Sequence, residues 1–138
     1  MPQFLLDTNV VSELRRARPH GGVINWLSTL QPDEIFVSAV TFGEMQRGVE
    51  AARRADADKA REIEVWMEGI SGSFQVLAMD RDMFREHARL MQRQSKAHTE
   101  DAMIAATARI RSLTVATRNA ADFRAFSVPC FNPFEFKG

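Results

Sequence analysis

The chain has 138 residues, 45% of them apolar, which is enough for one buried core and too little for two. Cys130 stands alone, which excludes an internal disulfide or a cysteine-rich zinc site and suits a reducing cytoplasm, and no window approaches the roughly 18 uninterrupted apolar residues of a membrane span. Eighteen Lys and Arg balance eighteen Asp and Glu, so no excess of positive charge points to a nucleic acid, and such binding has to come from local charge placement. The opening Met1-Pro2-Gln3-Phe4 lacks the basic start of an export signal, so the expectation is a single cytoplasmic domain over residues 1–138.

In chain order, Phe4-Leu5-Leu6 is a short apolar strand, followed from Thr8 or Asn9 by a helix carrying Val10, Val11 and Leu14. Ile35-Phe36-Val37 is a second strand. Between Thr41 and Ser73 lie a Gly-tolerating helix and then a highly charged one through Trp66. Val76-Leu77-Ala78 is a third strand, and the helix from Asp80 to His98 carries Phe84, Ala88 and Met91 at helical spacing while Arg85, Arg89, Arg93 and Lys96 share a face. That face is either a path for a polyanion or an ordinary solvated surface, and the second is the more common. An Ala-rich helix from Ala102 to Ile110 leads into a fourth strand, Thr114-Val115-Ala116-Thr117, with a weaker fifth at Val128 to Phe131.

Near-continuously apolar strands are the habit of strands covered on both faces. Alternating with helices, they predict an α/β fold, a central parallel sheet with helices on both sides. In such sheets sites form beyond the carboxyl ends of the strands. Asp7 directly follows the first strand. Glu44 comes one helical turn after the run Ile35 to Val40. Asn119 and Asp122 follow the fourth strand, and Asp101 joins them if the start of its helix leans back toward the same edge.

Each of these residues has an ordinary explanation as well. Thr41 and Glu44 have the spacing of a capping box, Asn119 and Asp122 resemble a shorter version, and Thr99 could cap the helix that holds Asp101. Against this stands their coincidence on one edge of one small sheet. Several carboxylates gathered without matching Lys or Arg cannot all stay ionised unless a cation occupies the gap. Mg²⁺ and Mn²⁺ prefer oxygen ligands, and the chemistry that most often uses such sites is phosphoryl transfer.

At this point the residues resemble a known family. Leu5-Leu6-Asp7-Thr8-Asn9-Val10-Val11-Ser12-Glu13-Leu14 is similar to the opening of the PIN domains of VapC and FitB type. The resemblance continues in Ser38-Ala39-Val40-Thr41-Phe42-Gly43-Glu44-Met45-Gln46-Arg47-Gly48, Asp101-Ala102-Met103-Ile104-Ala105-Ala106-Thr107-Ala108, Val115-Ala116-Thr117-Arg118-Asn119 and Phe131-Asn132-Pro133-Phe134. Five motifs in family order span nearly the whole chain.

The resemblance implies a three-layer α/β/α sandwich and a Mg²⁺- or Mn²⁺-dependent endoribonuclease, the toxin of a toxin–antitoxin pair. Carried over by position, the metal-binding acids are Asp7, Glu44 and Asp101, and Thr8 and Thr117 hold ligands or water. Relatives often carry Asp directly after the Thr-Arg pair. Here Asn119 stands there and Asp122 three residues on, so both remain candidates for the fourth position. The implied reaction is attack of a metal-activated water on an RNA phosphodiester, giving a 5′-phosphate and a 3′-hydroxyl. The implied partners are RNA, a second copy of the chain and a cognate antitoxin, with DNA reached only through the antitoxin.

Rival readings have specific requirements. A haloacid-dehalogenase-type phosphatase needs an Asp two residues after the first, where Asn9 stands. A metal-free ribonuclease needs facing histidines, and His20, His87 and His98 lie outside the motifs. A PIN-like module that only binds RNA or protein has no use for an electrostatically costly acid cluster. Trp26, Trp66 and the Met-bearing helices are either core or partner surface.

Overall fold

Side chains on successive strand residues point to opposite faces, and both faces here are apolar, so the sheet has to be covered twice. The computed structural model describes residues 2–138 and shows this arrangement. Five strands run β1 (Phe4–Leu6), β2 (Ile35–Ser38), β3 (Gln75–Leu77), β4 (Thr114–Ala116) and β5 (Cys130–Phe131). Seven helices connect them: α1 (Thr8–Glu13), α2 (Gly21–Ser28), α3 (Ala39–Arg53), α4 (Ala57–Ser73), α5 (Arg81–Arg93), α6 (Thr99–Arg111) and α7 (Ala120–Arg124). The strands form one parallel sheet in the order β3-β2-β1-β4-β5.

The pleat divides the core. Leu5, Phe36 and Val115 face one side and pack with Ala102, Ala105, Ala106, Leu90, Phe123 and Phe126. Leu6, Ile35, Val37 and Ala116 face the other and pack with Val10, Val11, Val23, Trp26 and Ile70. The small side chains of α6 bring that helix close to the sheet, which is why its Ala-rich face is wholly buried. Trp26 is core, and Trp66 is half-buried against Phe42, Met45 and Met67. Trp26 therefore serves packing, while Trp66 packs and also lines an open cleft.

The third strand departs from expectation. Gln75 and Val76 are exposed, and the strand lies at the margin of the sheet, paired only with β2. A three-residue margin strand needs no second cover, and its shortness protects the open edge. The fifth strand is two residues long rather than four. On α5, Arg89 and Arg93 are both drawn to the buried Glu86, which removes much of the free charge from the basic face.

After β5, a 3-10 turn at Pro133–Glu135 folds back onto α2. Gly22 permits this approach, since a Cβ there would sit 3.0 Å from the Pro133 carbonyl oxygen. The turn also places the Phe134 ring 3.8 Å from the Arg118 guanidinium, face on.

Candidate active site

Strand order reverses at β1: β2 and β3 lie to one side, β4 and β5 to the other. The crevice at such a reversal opens between the carboxyl ends of the two diverging strands, here Leu6 and Ala116. Asp7 and Thr117 are the next residues on each, and both are buried.

Asp7 caps α1. Its Oδ1 accepts from the Thr8 backbone N–H at 2.8 Å, and its Oδ2 accepts from the Thr117 hydroxyl at 2.8 Å and from Asn9 Nδ2 at 3.2 Å. Among the described residues no Lys or Arg pairs with it. Burial pushes its carboxyl up from 3.8 to about 6; the bonds from Thr117 and Thr8 oppose that shift, and the charges of Asp101 and Glu44 add to it.

Glu44 projects from α3 toward α1. Ser38, not Thr41, caps α3, accepting from the Val40 N–H at 3.1 Å. The capping box expected at Thr41 and Glu44 is therefore absent, because the helix starts one turn earlier and both residues lie inside it. Instead Glu44 Oε1 accepts from the Thr8 hydroxyl at 2.7 Å, and that hydroxyl lies 3.1 Å from the buried Thr41 hydroxyl. One proton per hydroxyl makes this a chain from Thr41 to Thr8 to Glu44. Burial raises the Glu44 carboxyl, with Glu100 and Asp101 adding to the rise, while Thr8 and Arg47 oppose it.

Asp101 needs no leaning helix. α6 ends two residues before β4 begins, so it runs back along the sheet and starts about 20 Å away, at the carboxyl edge. The carboxylate sits in the first turn, half-buried; burial raises it, His98 lowers it, and Asp122 and Glu100 raise it again. The expected Thr99 cap is absent, since Thr99 lies within the helix and its hydroxyl meets His87 Nε2 at 3.0 Å. Asp101 shares a cleft of about 370 Å³ with Asp122, Lys96 and His98.

Asn119 and Asp122 take different places. The Asn119 side chain makes no cap bond with α7, so the shorter capping device is also absent. Its backbone N–H donates to the Thr117 hydroxyl at 3.0 Å, while Asp122 lines the Asp101 cleft. The carboxylates thus gather at one edge and feel each other's charge, but they do not form a tight cage. Among the described residues no three His, Cys, Asp or Glu side chains stand close enough to hold one ion together. A hard ion that retains several waters and takes one or two carboxylates directly still fits this all-oxygen set.

Asn9 escaped sequence reasoning. Its Nδ2 reaches Asp7 Oδ2 and, at 3.4 Å, the Thr117 hydroxyl, while its Oδ1 accepts from the Arg118 N–H at 3.2 Å. It ties the ends of β1 and β4 together. Its only signal was a polar side chain two residues after a strand-end acid. Arg47 and Glu100, paired at 2.7 Å beside Glu44 and Asp101, also escaped notice.

The molecule is thus an α/β domain with a group of acidic side chains at the reversal point of a parallel sheet. Residues 4–128 match the PIN domain family, and the chain belongs to it. It is 36% identical over 139 residues to Toxin FitB of Neisseria gonorrhoeae, covering 95% of this chain and 98% of that one. It is 35% identical over 141 residues to VapC ribonuclease Y4jK of Sinorhizobium fredii, covering 96% and 98%. The crystal structure of FitAcB from Neisseria gonorrhoeae superposes with a TM-score of 0.85 at 33% identity, covering 97% of this chain and 100% of that chain.

Proposed function

We propose that the chain is a Mg²⁺- or Mn²⁺-dependent endoribonuclease and the toxin of a toxin–antitoxin pair. The observation that carries this reading is Asp7: a buried carboxylate with no cationic partner among the described residues, raised by burial and by two neighbouring acids, at the edge where this fold builds sites. Full-length likeness to a VapC ribonuclease and to Toxin FitB supplies the substrate class and the biological role.

Asp7, Asp101, Glu44 and Asp122 are the groups suited to hold the ion, directly or through water, and Asn119 stands beside them. When bound, such an ion polarises water and neutralises charge developing on a phosphate. Thr117, Asn9 and the Thr8 N–H hold Asp7 in one orientation, and the Thr8 hydroxyl does the same for Glu44, so the ligand oxygens are preset before substrate arrives. Hydrolysis of the RNA phosphodiester then yields a 5′-phosphate and a 3′-hydroxyl.

A second copy of the chain and a cognate antitoxin are the proposed protein partners, with DNA reached only through the antitoxin and the cytoplasm as the site of action. An electronegative pocket is suited to receive a basic side chain of such an antitoxin. The test is cleavage of single-stranded RNA by the purified protein with Mg²⁺, with Mn²⁺ and with a chelator. Metal-dependent fragments bearing 5′-phosphates are expected from the wild type and none from Asp7→Asn. Full cleavage by Asp7→Asn overturns the site, and RNA binding without cleavage favours the idle module.

A further inference from the structure

An acidic mouth repels the polyanion it is meant to cut, and a bound divalent ion offsets only part of that charge. Arg47 sits one helical turn beyond Glu44 on α3, and Glu100 immediately precedes Asp101 on α6. Arg47 Nη2 donates to Glu100 Oε1 at 2.7 Å, so the pair spans the gap between two helices that carry acids. We propose that Arg47 positions the RNA, resting on Glu100 in the free protein and passing to a phosphate of the bound chain. This rests on the ribonuclease reading and adds to it a residue that the acid site does not include.

The character of the pair supports exchange. Arg47 is 68% exposed and Glu100 26%, and an ion pair so open to water is weakly held. Among the described residues only one Arg47 nitrogen is engaged, which leaves most of the guanidinium fork open to a second acceptor. A carboxylate also occupies the fork as a phosphate oxygen does, so Glu100 is a competitor with the right chemistry. Other arginines are committed more firmly. Arg53 bonds both Glu50 and Glu64, and Arg109 bonds Glu86 and two carbonyls.

Arg47 also opens a path. It lines a shallow cleft with Glu50, Ala51, Arg53 and Arg54. Arg54, seven residues on at the C-cap of α3, lines the same cleft, and among the described residues its side chain makes no hydrogen bond or ion pair. A strand whose phosphate meets Arg47 can continue toward Arg54, away from the acids.

The experiment measures binding of a labelled single-stranded RNA oligonucleotide to Asp7→Asn protein, in which the RNA stays intact, across a range of salt. Arg47→Gln is expected to weaken affinity about tenfold and to reduce the slope of log K against log salt by about one, with Arg47→Lys in between. Glu100→Gln is expected to tighten binding severalfold when Arg47 is present and far less in the Arg47→Gln background. Thermal unfolding checks that each variant folds; should Arg47→Gln fail to fold, Arg47→Lys carries the test. Binding and salt slope unchanged by Arg47→Gln, or a gain from Glu100→Gln equal in both backgrounds, overturns the positioning role alone. No RNA binding by either wild type or Asp7→Asn overturns this role and the ribonuclease reading together.

Discussion

The Thr117 hydroxyl donates to Asp7 Oδ2 at 2.8 Å although 110 residues separate them in the chain. Its lone pairs accept from the Asn119 N–H at 3.0 Å and from Asn9 Nδ2 at 3.4 Å, so this one hydroxyl uses its full bonding capacity to join two strand ends.

Thr117→Val keeps the volume of the side chain but strips Asp7 of a donor and two groups of an acceptor. A loss of about 1–3 kcal/mol in unfolding free energy is expected, whereas Thr117→Ser should keep most of it. Urea unfolding of the two variants checks this. Equal midpoints for Val and Ser would show the hydroxyl to be idle.

The raised Asp7 carboxyl makes stability depend on pH. A group bound more tightly to its proton in the folded state stabilises fully below its unfolded value of 3.8, and that contribution is lost as pH rises through about 6. The rise from 3.8 to about 6 corresponds to about 3 kcal/mol. Chelator-treated wild type should therefore lose up to about 3 kcal/mol, relative to Asp7→Asn, between pH 4 and pH 7.5. Glu44 and Asp101 act in the same direction, so the difference between the two proteins, not the wild-type curve alone, is the measurement.

Thr8→Val frees the Glu44 carboxylate from its 2.7 Å anchor. Because groups that orient ligands typically contribute 10–100-fold to metal affinity or activity, the concentration of Mg²⁺ needed for half-maximal cleavage should rise by about tenfold, with Thr8→Ser restoring it. A metal titration of the cleavage rate reads this directly.

Away from the site, Arg109 joins α6 to α5 and to the turn after α7 by bonding Glu86 Oε2 at 2.7 Å and the carbonyls of Phe126 and Ser127 at 3.2 and 2.8 Å. Arg109→Met should cost about 1–3 kcal/mol, and Arg89→Met, which removes an exposed partner of the same Glu86, under about 1 kcal/mol. Melting curves of the two variants separate these outcomes, and neither substitution should alter RNA cleavage.

The sequence showed the strand-end acids because an apolar run followed at once by Asp7 needs nothing but adjacency to be read. Asp101 was harder: its place depends on the direction α6 runs, which follows from its short connection to β4 and not from any residue at its start. Glu44 could not be told from a capping residue, because Ser38 had to be recognised as the true start of α3. Val76-Leu77-Ala78 has the composition of an inner strand, and only pairing with β2 alone reveals it as a margin. Asn9, Arg47 and Glu100 act through partners far off in sequence, so no local spacing announces them.

Arg118 directly follows Thr117, and the Phe134 ring holds its guanidinium at 3.8 Å. The C-terminal turn therefore acts as a tether on a nearby cation. Were the chain cut ahead of Pro133, that cation would be free to swing inward and partly cancel the negative field of the carboxylates. A segment that supplies no ligand thus helps to set the polarity of the entrance.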